Sequence, residues 1–174
     1  PPAAASCLPA ANGERRDPVL SFPHALCTGT DRLYVASMGS NEIVAFSLDG
    51  AFLARFGSAE GGADATLDHF FAGTFAATQL SWPKGVCCHN DEVYVADTGN
   101  HRVAVFSADG EFVRHWGGCG SGKGEFDHPI GIGAFGGYIY TAENVGRRVQ
   151  VFTPSGRRVT ETLVPSCGEL LGLS

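Results

Sequence analysis

An all-β fold of about three four-stranded sheets is predicted for this 174-residue chain, and three observations predict it. A 36-residue pattern occurs three times without a gap, turn residues divide each copy into four short runs, and the middle runs are continuously apolar. The copies are FPHALCTGTDRLYVASMGSNEIVAFSLDGAFLARFG from Phe22, WPKGVCCHNDEVYVADTGNHRVAVFSADGEFVRHWG from Trp82, and HPIGIGAFGGYIYTAENVGRRVQVFTPSGRRVTETL from His128. Tyr34, Tyr94 and Tyr140 fall 12 residues after each opening residue, Phe46, Phe106 and Phe152 another 12 on, and Gly50, Gly110 and Gly156 another 4.

Taken in order, the first strand of each unit is a short run after proline: residues 25–28, 85–88 and 131–134. Asn, Asp or Gly then turn the chain into VYVA or its equivalent, and a polar turn leads to VAVF. Asp-Gly or Ser-Gly starts the fourth strand, which in Val159 to Leu163 alternates like a strand with one wet side. Continuously apolar second and third strands are expected where a sheet is covered on both faces. One such unit cannot cover both of its own faces, so the copies must stack; radial stacking of four-stranded sheets makes a β-propeller.

The pattern Pro-x-Gly-Val, VYVADTGNHRV, Val-Phe, Asp-Gly and the linker Gly-x-Gly-x-Gly-x-Phe resembles the NHL repeat, most closely around Asn100-His101-Arg102. The resemblance spans 22 to about 164 and implies a propeller of about six blades, of which three are visible, a partial propeller. It divides the chain into an extension (1–21), repeat 1 (22–57), an inserted linker (58–81), repeat 2 (82–117), a short linker (118–127), repeat 3 (128–164) and a second extension (165–174). Three blades leave two open sides, expected to be covered by more of a longer chain, a partner or a second copy. The chain opens Pro1-Pro2 and its one methionine is Met38, so a removed leader or a longer product is expected.

Composition fits one globular domain, with 44% hydrophobic and 17% charged residues. The net charge of -6 gives no general attraction to nucleic acid or anionic lipid. No apolar window reaches the length of a membrane helix, so a soluble chain is expected, with organellar, lumenal and cytoplasmic locations all open. Residues 58–127 concentrate acidic charge, whereas Arg147, Arg148, Arg157 and Arg158 raise the alternative of a basic patch on blade 3; solvated hairpin turns are the plainer reading.

Asp97 and Arg102 flank a four-residue turn, and Glu143 and Arg148 repeat that spacing, which predicts a cross-strand ion pair clamping each hairpin. Ser37 and Glu42 in the first unit cannot pair this way. Six histidines show neither HxH nor HExxH spacing, and residues 25–28, 85–88 and 131–134 hold none, so no metal set and no cofactor is assigned. Six cysteines without a CxxC pair read as buried thiols or, in an oxidising compartment, disulfides; Cys27 and Cys87 are repeat equivalents. The linker 58–81 has 24 residues against 10 in 118–127, and carries His69, Phe70, Phe71 and Phe75 as a candidate partner-binding segment or a lid on its own propeller.

With no nucleophile elbow, phosphate loop or dinucleotide fingerprint, the favoured function is a non-enzymatic protein-protein interaction module or structural subunit of a larger assembly. Its expected partners are other proteins. Two alternatives stay open: a propeller enzyme of lyase or lactonase type with a divalent metal in the central channel, and an RNA-binding domain.

Overall fold

The computed structural model describes residues 20–58 and 77–163, so His69, Phe70, Phe71 and Phe75 lie outside the described residues. Three four-stranded antiparallel sheets follow one another along the chain, each with its strands in sequence order. Blade 1 is β1 (Pro23–Thr28), β2 (Arg32–Ser37), β3 (Glu42–Ser47) and β4 (Phe52–Phe56). Blade 2 is β5 (Pro83–His89), β6 (Glu92–Asp97), β7 (Arg102–Ser107) and β8 (Phe112–Gly117). Blade 3 is β9 (Pro129–Phe135), β10 (Tyr138–Glu143), β11 (Arg148–Phe152) and β12 (Arg158–Leu163). β1 lies against β5 and β5 against β9, so the first strands gather at a common axis and the sheets fan out as propeller blades.

The turns explain where the strands stop. Gly110 and Gly156, at φ 88° and 87°, close the third hairpin of blades 2 and 3 in a conformation that disfavours any Cβ. Each such turn also packs on a ring of the preceding blade, Gly110 on Phe56 and Gly156 on Trp116. Gly85 serves a different need: a Cβ there would sit 2.7 Å from the Ile130 carbonyl, so glycine lets β5 and β9 approach.

Two apolar clusters fill the seams. Tyr34, Ala36, Ile43 and Ala45 of blade 1 meet Val86, Val93, Val95, Ala104 and Phe106 of blade 2. Tyr94, Val103 and Val105 meet Ile139 and Phe152 across the second seam, with Phe126 of the short linker buried beside them. An aromatic step repeats at both: Phe56 lies 5.0 Å from Phe106 and Trp116 lies 5.7 Å from Phe152, ring centre to ring centre. Burying each such side chain contributes about 1.5–3 kcal/mol, so the seams hold the blades in order.

Three expectations need correction. The first strands run further than residues 25–28 and 85–88, and β1 and β5 therefore include His24 and His89. Continuous burial along second and third strands holds in blades 1 and 2; in β10 and β11 burial alternates, the flank away from blade 2 being half-exposed. The arginines of blade 3 are not one free basic patch. Arg148, which is buried, and Arg158 both reach the Glu161 carboxylate, at 3.4 and 3.0 Å, while Arg147 and Arg157 stand in the β10–β11 and β11–β12 turns.

Candidate partner-binding face

Each unit opens with the same local device. Ser21, Ser81 and Asp127 donate their backbone N–H to the residue ending their own blade's second strand: Ser37 Oγ at 2.9 Å, Asp97 Oδ1 at 2.7 Å and Glu143 Oε2 at 2.8 Å. Gly39, Gly99 and Gly146 return a backbone N–H to the carbonyls of the same three residues. The next residue is thereby driven into the left-handed region: Phe22 at φ 45°, Trp82 at φ 49° and His128 at φ 56°. For bulky side chains that conformation costs on the order of 1–3 kcal/mol and persists only where the surroundings impose it. Its effect is to turn Phe22 and Trp82 outward, 75% and 52% exposed at the same end of neighbouring blades.

The carboxylates behind this face are saturated. Asp97, fully buried, accepts from Ser81 N, Asn100 Nδ2 at 2.8 Å and Arg102 Nε at 2.7 Å, while Arg102 also donates to the Gln79 carbonyl at 2.6 Å. Glu143 accepts from Arg148 Nε at 2.7 Å and Gln150 Nε2 at 2.8 Å as well as from Asp127 N. The four predicted ion-pair residues thus form two pairs that also fix where the following strand of the unit begins. In blade 1 the buried Glu42 instead faces Arg55 of β4 at 3.4 Å, and Ser37 takes the capping role alone.

The turns on this face also cross the seams. Trp82 N–H donates to Asn41 Oδ1 at 2.7 Å. His101, the repeat equivalent of Asn41, places Nδ1 3.2 Å from the Phe126 carbonyl and 3.4 Å from His128 N. The His128 ring stands edge-on to His101, centres 4.6 Å apart, with its Nδ1 2.7 Å from Asp127 Oδ1. His101, Asp127 and His128 therefore bring three ligand atoms within 4.8 Å of one another, a trio that can hold one divalent transition-metal ion. Spacing along the chain hides this trio, since its parts come from a turn of blade 2 and the opening of blade 3.

At the opposite end, Arg114 clamps the second seam with two 2.6 Å bonds to Glu92 and a third to the Pro154 carbonyl. The Arg114 guanidinium holds the Glu92 carboxyl below its ordinary range.

Residues 80–106 match the NHL repeat. The matched stretch runs from the opening of blade 2 into β7. RING finger protein nhl-1 of Caenorhabditis elegans is 46% identical over 55 residues, 31% of this chain and 6% of that protein. Protein brain tumor of Drosophila melanogaster is 28% identical over 85 residues, 47% of this chain and 8% of its own length. The chain thus spans under a tenth of either relative. Among solved structures, virginiamycin B lyase from Staphylococcus aureus superposes with a TM-score of 0.58 at 15% identity, over 84% of this chain and 42% of that one. Myxococcus xanthus glutaminyl cyclase does so with a TM-score of 0.55 at 13% identity, over 88% and 58%. At such identities the likeness is one of fold: these are blades of a β-propeller. No helix among the described residues is long and apolar enough to cross a membrane.

Proposed function

We propose that this NHL segment is a non-enzymatic module that docks other proteins through the strand-opening face. The observation that carries the reading is the paired exposure of Phe22 and Trp82, each held in a strained left-handed conformation by hydrogen bonds from behind. Large exposed aromatic side chains lose little conformational freedom on binding and dominate interface energetics. The fitting partner is a protein surface that offers apolar side chains between two such rings. The phenylalanines Phe70, Phe71 and Phe75 remain a second proposed contact. The test is affinity capture on the full-length protein, wild type against a Phe22→Ser, Trp82→Ser double variant of unchanged circular dichroism. Loss of specific protein partners supports the reading; an identical set of partners in the double variant would sink it, and capture abolished by ribonuclease would favour RNA instead.

One observation favours a second reading, a metal-dependent propeller enzyme: the trio His101, Asp127 and His128. Elemental analysis of protein purified without chelator tests it. A stoichiometric transition metal that disappears in His101→Ala supports that reading, and metal-free protein that binds none added removes it.

A further inference from the structure

The seam between blades 1 and 2 carries chemistry that the seam between blades 2 and 3 lacks. Cys27 on β1 and Cys88 on β5 sit on adjacent first strands with their sulfurs 2.8 Å apart. The repeat supplies an internal control. Cys87 is the equivalent of Cys27 one blade on, and the equivalent of Cys88 in blade 3 is Ala134. At the second seam Cys87 accordingly packs in an apolar cluster with Ala134 beside it, where no second sulfur can meet it.

The two sulfurs of the pair differ in character. The two thiols share one hydrogen bond that either sulfur can donate; with Cys27, the more buried, as donor, Cys88 is held below the usual thiol range and Cys27 is pushed far above it. Burial, helped by the neighbouring Cys88, pushes Cys87 up to about 12. Thiolates rather than thiols attack oxidants, so Cys88 is the nucleophile of the three. It is also reachable: Cys88 lines a cavity of about 180 Å³ between the first hairpin turns of blades 1 and 2, together with Asp31, Asp91 and Glu92. Those carboxylates repel anionic oxidants such as glutathione disulfide and leave small neutral ones as the matching class.

We propose that Cys27 and Cys88 are a hydroperoxide-oxidised dithiol that closes to a disulfide stapling blade 1 to blade 2. The Cys88 thiolate attacks one oxygen of hydrogen peroxide; the O–O bond breaks, a sulfenic acid forms, and the departing hydroxide takes a proton to become water. The Cys27 sulfur then attacks the sulfenyl sulfur; the S–O bond breaks, the S–S bond forms, and hydroxide leaves with the Cys27 proton as a second water. Two thiols lose two electrons and two hydrogens to one peroxide. The product joins two sheets otherwise held only by noncovalent contacts, and it does not depend on what the strand-opening face binds.

The test titrates the full-length, reduced protein with hydrogen peroxide, alkylates the remaining thiols and maps the digest by mass spectrometry. The expected first product is a Cys27–Cys88 cross-linked peptide in a protein lighter by two hydrogens, with Cys87 reacting about tenfold more slowly or less. Cys87→Ala should behave as wild type, and Cys27→Ala should leave a sulfenic acid on Cys88 that dimedone traps. A first product that joins Cys88 to Cys7, Cys119 or Cys167, or that leaves Cys88 reduced while the exposed Cys119 oxidises, overturns the proposal. Because the decisive map is of wild type, a Cys27→Ala variant that fails to fold does not blunt it.

Discussion

Blades 2 and 3 are built from the same repeat, yet they solve burial differently. In blade 2 every residue from Val93 to Asp97 and from Arg102 to Phe106 is buried, whichever face it points to. In blade 3 Ile139, Thr141, Gln150 and Phe152 are buried toward blade 2, whereas Tyr140, Ala142, Val149 and Val151 on the other flank are half-exposed. The same contrast appears at the first strands: Val86 is 5% exposed and its blade 1 equivalent, Leu26, 64%. Apolar character does not by itself decide burial here: a neighbouring sheet seals both flanks of blade 2, although Val35 and Val44 on the flank of blade 1 away from blade 2 are buried as well. The cross-blade clamp follows suit. Blade 2 reaches blade 3 through Arg114 and Glu92, and blade 3 carries Thr160 and Tyr138 at those positions, with nothing to reach a sheet beyond.

The largest expected effect comes from breaking the buried ion pairs. Arg102→Met leaves the Asp97 carboxylate buried under two covered faces and should destabilise by about 3–5 kcal/mol. Arg148→Met strands Glu143, whose side chain is as fully buried as that of Asp97 and which likewise keeps two donors, Gln150 Nε2 and Asp127 N, so its cost should be of the same order. Urea denaturation midpoints measure both, and a markedly smaller cost at Arg148 would show that the open flank of blade 3 weakens its covered side as well.

Next in size is a methyl-scale probe of the flanks. Val105 and Val151 are repeat equivalents, the first fully buried and the second half-exposed. Val105→Ala should cost about 2 kcal/mol and Val151→Ala less than about 1 kcal/mol, since only the former opens a sealed cavity. If addition of further blades in a longer version of the chain raises the Val151→Ala cost to that of Val105→Ala, the open flank is a blade-binding surface.

Much of this was legible in the sequence, for a physical reason. Strand, turn and hairpin-pair positions are local, and the period that sets Tyr94, Phe106 and Gly110 in register writes them directly into the chain. The pairing of Asp97 with Arg102 is legible because a short hairpin forces it. What was not legible lies across the seams. The repeat identifies Cys87 as the equivalent of Cys27, but the sulfur that Cys27 faces is Cys88, because neighbouring blades meet with an offset that periodicity does not record. The trio His101, Asp127 and His128 escaped for the same reason. The left-handed openings at Phe22 and Trp82 escaped because nothing in an aromatic residue announces positive φ.

A pH series sharpens the clamp difference. Because Arg114 lowers the Glu92 carboxyl in the folded state, the clamp contributes stability above the ordinary carboxylate range and loses it as pH falls through and below that range. Wild type should therefore weaken between about pH 6 and about pH 3 more than Arg114→Leu does. Parallel curves for the two proteins would show that the clamp carries no linkage.

The smallest expected effect is a gain. Thr141 in β10 is fully buried toward blade 2, and its hydroxyl has no hydrogen-bond partner among the described residues. Its blade 2 equivalent is Val95, equally buried and of nearly the same shape. A buried hydroxyl without a partner loses its water and gains nothing in return, a penalty of about 1–3 kcal/mol. Thr141→Val should recover part of it, raising stability by about 1 kcal/mol and shifting the urea midpoint upward without changing the slope. A loss of stability would mean that the hydroxyl is satisfied from within the seam, and that blade 3 differs from blade 2 on its covered face as well as on its open one.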